Sequence, residues 1–287
     1  MKLGAHCVLY GQEVAQDTDA VIGRLAEAGA EGCELGERFF GTEDRDKLKK
    51  VLAKYDIALA GMHCNGMTLM DLLNEPEKSR AALEKVARFV EPLPDKNIIV
   101  TGGLGLDIAA LQQRTFAQGA PQPELHDPEN VKTIARNLNS IVRDIKDEYG
   151  VQVHYHNHNW EFCDGGLIWF ALADHAPDVN FALDTGWAAV SGFDPVELMD
   201  RYPGRFHYVH LRDYRKQKNP DELTFEQVHG GFVNLGTGDM DYPRLMRKLN
   251  TALASQDWAI VEYEIGNFDK NSYMRALSYL HGVRDML

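Results

Sequence analysis

The sequence predicts a single-domain (β/α)8 TIM barrel that spans residues 1–287. Three observations favour this fold. The length of 287 residues is usual for such a barrel. A short apolar segment followed by an amphipathic segment recurs eight times, an alternation that implies a parallel sheet with helices outside it. No linker or shift in composition indicates a second domain.

Each repeat supplies one strand and one helix. The predicted strands are Lys2–Val8, Glu31–Leu35, Ile57–Cys64, Asn97–Thr101, Val151–His156, Asn180–Asp184, Phe206–Leu211 and Ala259–Glu264. The predicted helices carry apolar residues at helical spacing and are Asp17–Ala28, Glu43–Lys54, Glu75–Glu91, Glu129–Glu148, Leu167–His175, Pro195–Tyr202, Pro243–Ala254 and Ser272–Met286. Two long polar connections, residues 102–128 and 212–239, interrupt the alternation.

Composition excludes several classes of function. The net charge of −13 argues against nucleic-acid binding, which needs clustered Lys and Arg. No apolar run approaches the roughly 18 residues of a membrane span, and the N-terminus has no apolar signal core. The four cysteines are widely separated, as is typical of reduced thiols. We therefore expect a cytoplasmic protein without nucleic-acid or membrane partners, and a homo-oligomer remains compatible with the sequence.

A glycine-rich segment follows the fourth predicted strand. Gly102-Gly103-Leu104-Gly105 has the wrong spacing for a dinucleotide fingerprint, and no clear helix start follows it directly. We therefore expect no nucleotide cofactor.

Histidines concentrate in residues 151–162. Read as a strand, this stretch puts His154, His156 and His158 on one face. A packed core would use Val, Ile or Leu there, whereas neutral imidazole is a common transition-metal ligand and titrates near neutral pH. The alternative is a polar strand edge with chance histidines.

Polar residues also end neighbouring strands, where the active site of a TIM barrel lies. Strands five to eight end with His156, Asp184, His210 and Glu262. Each residue alone also has a structural explanation. Asp184 could form a turn, for example, and His210 could be a core histidine whose hydrogen bonds are satisfied. Together on adjacent strands, two imidazoles and two carboxylates predict a site for one divalent metal ion, such as Mn²⁺, Co²⁺, Fe²⁺, Zn²⁺ or Mg²⁺.

Several short motifs carry a resemblance to a known family. They are Asp184-Thr185-Gly186-Trp187, His210-Leu211-Arg212-Asp213, Leu235-Gly236-Thr237-Gly238, Ile260-Val261-Glu262 and Gly61-Met62-His63-Cys64. In order and spacing they resemble the xylose isomerase-like barrel superfamily, and within it the sugar phosphate isomerases/epimerases, which include inosose dehydratases, ketose 3-epimerases and hydroxypyruvate isomerases. The resemblance runs from strand one to helix eight. It implies a single divalent metal ion held by His156, Asp184, His210 and Glu262.

The fifth strand departs from the epimerase pattern. Epimerases carry Glu in a Glu-x-His segment where this chain has His156-Asn157-His158, and its Tyr-His-Asn-His form resembles the inosose dehydratase-like members. The symmetric pair of glutamates that the resemblance implies for 3-epimerases is therefore incomplete. Glu161 remains an alternative for the fifth-strand ligand.

This departure favours elimination over epimerisation. The resemblance implies abstraction of a proton next to the carbonyl of a keto sugar or keto cyclitol, through an enediolate. Glu262, His156 or His158 would act as the base. His63, His158 or Glu161 would protonate a departing β-hydroxyl or β-alkoxy group. We therefore predict a metal-dependent lyase or dehydratase.

Other residues are candidates for substrate binding. Arg212 would either hydrogen-bond substrate oxygens or brace Asp213. Trp187 and Trp160 would form an apolar wall or pack the loops, and Glu34 would hydrogen-bond within the barrel or contact substrate. Further candidates are His63 and Glu161. The Gly236-x-Gly238 turn is expected to shape a loop, since glycine adopts positive φ freely.

Three other functions are weighed against the lyase. A sugar isomerase or 3-epimerase would share the enediolate but form no unsaturated product. A DNA-repair endonuclease of the same superfamily would need a trinuclear zinc cluster and a basic groove, which the charge of −13 argues against. A non-catalytic sugar-binding or assembly subunit would keep the barrel without the chemistry.

Overall fold

Parallel strands close into a barrel at the centre of the computed structural model. The structure describes residues 1–115, 118–264, 268–269 and 271–286, apart from the side chains of Ile108 and Pro220. Within these ranges the barrel strands are β1 (Lys2–His6), β2 (Gly32–Gly36), β3 (Ala58–Cys64), β4 (Asn97–Thr101), β5 (Gln152–His156), β6 (Asn180–Asp184), β7 (Phe206–Leu211) and β10 (Trp258–Val261). Strand β10 pairs with β7 and with β1, which closes the barrel. The predicted (β/α)8 fold is confirmed.

Helices connect successive strands. They are α1 (Glu13–Gln16), α2 (Thr18–Glu27), α3 (Arg45–Tyr55), α4 (Leu69–Asn74), α5 (Pro76–Val90), α6 (Ile108–Gln113), α7 (Pro128–Tyr149), α8 (Cys163–His175), α9 (Thr185–Val190), α10 (Pro195–Arg201), α11 (Phe225–His229), α12 (Tyr242–Ala252) and α13 (Ser272–Met286). In the part of the chain that is described, no helix has both the length and the apolar character that crossing a membrane requires.

The long helix α7 shows how local sequence sets an element. Asp127 caps its start by accepting hydrogen bonds from the backbone N–H groups of Glu129 and Asn130. Pro128 occupies the first turn, where its missing N–H costs nothing. Gly150 ends the helix with φ 64°, a left-handed conformation that glycine adopts without strain. The helix thus begins and ends close to its predicted bounds.

A small apolar layer fills the barrel below the strand ends. It consists of Ala60, Ile99, Ala182, Tyr208, Trp258 and Ile260. Glycine makes room for the largest side chain, because a Cβ on Gly32 would collide with the Trp258 ring. Tyr208 and Ile260 precede His210 and Glu262 by two residues, so strand alternation puts this layer beneath the polar strand ends.

Two predicted strand ends were wrong by more than one residue, and one reading of a longer stretch as a strand was wrong. Strand β1 ends at His6 rather than Val8, because the backbone turns and the His6 side chain accepts a hydrogen bond from Val8 N. Strand β5 ends at His156, as predicted, so His158 lies beyond the strand and does not share the face of His154 and His156 by alternation. Strand β10 ends at Val261, which leaves Glu262 and Glu264 in the segment after it.

The two long connections contain regular structure that the sequence pattern did not predict. Residues 212–239 include β8 (Asp213–Tyr214) and β9 (Phe232–Val233), which pair antiparallel, and helix α11. Residues 102–128 include α6, while residues 116 and 117 of this loop lie outside the described residues. In α8, residues 164–166 have positive φ, so the regular helix begins at Leu167, as predicted.

Candidate active site

Polar side chains from the strand ends meet at one mouth of the barrel. In the sheet register His6 lies beside Glu34, and Asp184 lies beside His210. Glu262 directly follows the last residue of β10. The sheet is parallel and closed, so residues far apart in the sequence converge on this mouth.

Four of these side chains form a compact group that we call the ligand group: His156, Asp184, His210 and Glu262. Each is buried and offers a nitrogen or oxygen that lies within 4.8 Å of the others. His156 Nδ1, Asp184 Oδ2, His210 Nδ1 and Glu262 Oε2 make no hydrogen bond of regular geometry with the described residues, although the last three have close charge contacts. Buried polar atoms are normally hydrogen-bonded, and two imidazoles with two carboxylates suit a divalent cation. The residues present therefore fit such an ion.

Charge in the ligand group is set by burial and by close neighbours. Burial, followed by His210, holds the pKa of His156 well below its usual value, so this imidazole is neutral. Burial raises the pKa of Asp184 to about 7, although Arg212 opposes the shift. Burial also opposes ionisation of Glu262, but Arg212 and His210 hold its pKa well below the usual value.

His210 lies between two carboxylates. Its Nδ1 is 2.7 Å from Glu262 Oε2, and its Nε2 is 2.6 Å from Glu34 Oε2. Burial alone would lower its pKa, but Glu34 and Glu262 raise it to about 10. Without an ion, the imidazole is therefore positively charged and balances Glu262. A bound divalent ion would take over that role.

Glu34 lies below the ligand group and is fully buried. Its carboxylate contacts four side chains: His6 Nε2 at 3.2 Å, His63 Nδ1 at 3.1 Å, Tyr208 OH at 2.8 Å and His210 Nε2 at 2.6 Å. Burial opposes its ionisation, yet His210 and His6 hold its pKa well below the usual value. Of the two predicted alternatives, hydrogen bonding within the barrel is the one observed.

Arg212 joins three carboxylates at the mouth. Its Nη2 is 2.7 Å from Glu262 Oε1 and 2.8 Å from Glu264 Oε2. Its Nε is 2.8 Å from Asp184 Oδ2, a charge contact outside hydrogen-bond geometry. The guanidinium thus balances the negative charge of the group while only 2% of the residue is exposed.

The predicted alternative in which Arg212 braces Asp213 was wrong. Asp213 instead accepts hydrogen bonds from the backbone N–H groups of Gly236 and Gly238. Gly236 has φ 81°, and a Cβ on Gly238 would collide with the Asp213 carboxylate. The glycine turn therefore shapes this loop around Asp213, as expected.

His158 and Trp160 form one side of the mouth. Their rings stack with centroids 4.1 Å apart, and Trp160 Nε1 donates to Gly102 O. Burial lowers the pKa of His158 to about 3, so the imidazole is neutral. Its Nδ1 has no hydrogen-bond partner among the described residues. Trp187 is fully buried against Phe225, which corresponds to the loop-packing alternative for this tryptophan.

Glu161 does not reach the mouth. Its carboxylate accepts hydrogen bonds from Tyr155 OH at 2.8 Å and from His158 N at 2.7 Å. It is fully buried and absent from the lining of the cavity described below. The physical reason is that β5 has already ended at His156, so strand alternation no longer directs Glu161 inward. Both carboxylate oxygens are thus engaged away from the cavity, and the predicted roles of Glu161 as substrate ligand, acid and alternative metal ligand stay predictions that these contacts do not favour.

A cavity of about 530 Å³ opens above the ligand group. One part of its wall is polar and includes His6, His63, His156, His158, Glu262 and Glu264. The remainder is largely apolar and includes Val8, Phe39, Met67, Leu104, Leu106, Leu111 and Trp160. A cavity of this size with a few convergent polar groups is typical of a small-molecule site.

Comparison with known proteins decides the family. The chain matches the xylose isomerase-like TIM barrel family over residues 22–282. It belongs to this family. An inosose dehydratase from Mesomycoplasma hyopneumoniae is 28% identical over 262 residues, which cover 86% of this chain and 81% of that relative.

Solved structures share the same barrel. A sugar phosphate isomerase/epimerase from Parabacteroides distasonis has a TM-score of 0.70 and 21% identity, over 97% of this chain and 93% of its own. The 3-keto-D-glucoside 4-epimerase of E. coli has a TM-score of 0.72 and 14% identity, over 98% and 99%. The comparisons confirm the predicted likeness to this family and to inosose dehydratases, and the prediction of an enzyme.

Sequence reasoning missed three residues at the mouth of this xylose isomerase-like barrel. His6 and Thr101 end β1 and β4, and the strand-end argument would have found both had it been applied to those strands. His229 lies in the long connection and packs against Trp187 with ring centroids 4.9 Å apart. Burial lowers its pKa to about 4. Nothing in the local pattern signals that position.

Proposed function

We propose that this protein is a divalent-metal-dependent lyase that abstracts a proton next to the carbonyl of a keto sugar or keto cyclitol and then eliminates a β-hydroxyl or β-alkoxy group. The observation that carries the proposal is a neutral, unligated imidazole, His158, beside the ligand group in the cavity wall. His158 is not one of the proposed metal ligands, so it can act as a base while the metal ion stays bound.

The ligand group would hold the ion through His156, Asp184, His210 and Glu262. A bound divalent ion polarises a carbonyl and stabilises developing negative charge, which is worth several kcal/mol in the transition state. Arg212 keeps Asp184 and Glu262 in place through its charge contacts.

Two histidines of the cavity wall, His158 and His63, lie beside His156, and His158 would serve as the base. Both line the cavity, and they flank His156 with ring centroids 4.8 Å and 5.7 Å from it. His158 would accept the α-proton. The electrons of the C–H bond would form the double bond as the β C–O bond breaks, and the protonated His158 would return its proton to the departing oxygen. Glu161 has no part, because it does not line the cavity.

The names of the relatives support a reaction of this class. Inosose dehydratases are among the relatives, and the structural neighbours include a 3-keto-D-glucoside 4-epimerase. An isomerase or epimerase is the second candidate, and it would use the same proton abstraction. The ligand group contains only one glutamate, Glu262, so the symmetric glutamate pair implied for 3-epimerases is missing from it.

Product analysis tests the proposal. The Mn²⁺-loaded protein is incubated with inososes, 3-keto glucosides and ketoses, and products are followed by ultraviolet absorbance and mass. Elimination predicts an unsaturated, absorbing product and loss of water or an alcohol. His158→Gln should abolish turnover without releasing the metal, while His281→Gln, outside the cavity lining, should remain active. An isomer of unchanged mass would instead identify an epimerase, and metal binding without turnover on any substrate would favour a binding or assembly role.

A further inference from the structure

Glu34 lies at the centre of a hydrogen-bonded cluster beneath the ligand group. Oε2 is 2.6 Å from His210 Nε2 and 2.8 Å from Tyr208 OH, and Oε1 is 3.1 Å from His63 Nδ1. An ionised carboxylate can only accept hydrogen bonds. Each ring nitrogen bonded to it must therefore carry a hydrogen.

This requirement decides the tautomer of His210. In the metal-bound state His210 would be a neutral imidazole with one N–H, and the contact with Glu34 would hold that hydrogen at Nε2. The lone pair is then left on Nδ1, the atom that lies 2.7 Å from Glu262 Oε2 within the ligand group. Histidines that ligate metals normally donate their other N–H to a carboxylate or carbonyl in this way.

Two other rings are compatible with an ionised Glu34. The backbone N–H of Val8 donates to His6 Nδ1 at 3.3 Å, so the hydrogen of neutral His6 is on Nε2, which lies 3.2 Å from Glu34 Oε1 in a charge contact outside hydrogen-bond geometry. His63 Nδ1 donates to Glu34 Oε1, which leaves Nε2 to accept from the Thr101 hydroxyl 3.0 Å away.

The same evidence argues against a second ion at this level. His6, Glu34 and His63 lie close enough together to hold one. However, the two nitrogens that face Glu34 carry hydrogens and have no lone pair for a metal. The group is therefore a hydrogen-bonded support for the ligand group above it.

We propose that Glu34 is a positioning residue that fixes the tautomers of His210 and His63 and thereby aims His210 Nδ1 at the metal. This inference rests on the metal-binding part of the proposed function. It gives Glu34 no contact with substrate, in agreement with its full burial and its absence from the cavity lining.

Calorimetric titration of the full-length protein with Mn²⁺ tests the proposal. Glu34→Gln keeps the shape but has only one accepting oxygen, so it cannot accept from His210 and His63 as the carboxylate does. We expect it to weaken Mn²⁺ binding by about 10–100-fold, the usual effect of losing such a partner. Tyr208→Phe is the matched control, because it removes one donor to Glu34 and leaves the histidine contacts. Its affinity should stay near that of the wild type, and unchanged affinity in Glu34→Gln would overturn the proposal.

Nitrogen-15 NMR of the wild-type, Zn²⁺-loaded protein gives a readout that does not depend on any variant folding. We expect His210 to be protonated at Nε2 and metal-bound at Nδ1, and His63 to be protonated at Nδ1. Protonation of His210 at Nδ1 or of His63 at Nε2 would overturn the proposal. If the proposed lyase reaction is wrong but the role of Glu34 is right, Mn²⁺ binding will be normal and both histidines will have the expected tautomers. The protein will then show no turnover.

Discussion

The guanidinium of Arg212 lies 2.7 Å from Glu262 Oε1, inside the group of side chains that we propose as metal ligands. The same side chain contacts Asp184 and Glu264. A buried cation among three carboxylates offsets their mutual repulsion, which a metal-free site would otherwise leave uncompensated. Arg212 and a bound ion would thus share the task of balancing Asp184 and Glu262.

Arg212→Met should destabilise the metal-free protein strongly. Removing one partner of a buried ion pair typically costs about 3–5 kcal/mol, because the remaining charge stays buried. Added Mn²⁺ would supply positive charge next to Asp184 and Glu262. We therefore expect the rise in Tm on adding Mn²⁺ to be larger in the variant than in the wild type, measured by calorimetry.

Arg215→Met is the control for this comparison. Arg215 is exposed on the same connection and bonds a backbone carbonyl, that of Thr237, rather than a carboxylate. Its Tm with and without Mn²⁺ should follow the wild type. If Mn²⁺ raises the Tm of Arg212→Met by no more than it raises the Tm of the wild type, the proposal that Arg212 and the ion share the balancing of charge is wrong.

Glu161→Gln should change how stability depends on pH. Burial raises the pKa of Glu161 from 4.5 to about 7. A raised pKa in the folded state means that the folded wild type loses stability as pH rises from about 4.5 through about 7, and no further above that. The glutamine cannot ionise and lacks this loss. Urea unfolding across this pH range should show that the free energy of unfolding of the variant increases relative to that of the wild type as pH rises.

The same variant tests the placement of Glu161 outside the cavity. Its KM and Mn²⁺ affinity should match those of the wild type, since Glu161 bonds Tyr155 and the backbone of His158 and does not line the cavity. A large rise in KM would restore the substrate role predicted from the sequence. If the difference in stability between the variant and the wild type does not vary with pH, then Glu161 does not ionise in the folded protein as described.

Gly32→Ala should destabilise the barrel by about 1–3 kcal/mol, the usual cost of overpacking. The added Cβ would collide with the Trp258 ring in the apolar layer. Gly282→Ala is the matched control, because Gly282 is exposed in α13 and a Cβ there meets nothing within 4 Å. It should stabilise the protein by about 0.5–1 kcal/mol. Urea unfolding measures both, and a stable Gly32→Ala would contradict the packing described.

The ligand group was predictable because it depends on local features. Strand ends and two-residue alternation bring His156, Asp184, His210 and Glu262 to one mouth once the barrel is assumed. The roles predicted for Glu161 concern a residue past the end of its strand, where alternation does not set the direction of a side chain. Where a strand stops depends on backbone turns that the hydrophobic pattern does not record.

Partnerships across the barrel were not predictable in the same way. Glu34 bonds His210 from 176 residues away, and Arg212 reaches Glu264 across 52. Both side chains were identified as candidates, but their partners depend on which rotamers fit a closed barrel. Sequence spacing carries no information about that choice.

Deuterium exchange followed by NMR tests the central claim most directly. The Mn²⁺-loaded protein would be incubated in D₂O with inososes and keto sugars, then stripped of metal and protein before spectra are recorded. We predict that the hydrogen on the carbon next to the carbonyl is exchanged for deuterium in recovered substrate or is lost when the unsaturated product forms, and that His210→Ala and Glu262→Ala show neither. Turnover in which that carbon keeps its original hydrogen, or exchange that persists in both variants, would contradict proton abstraction at this site.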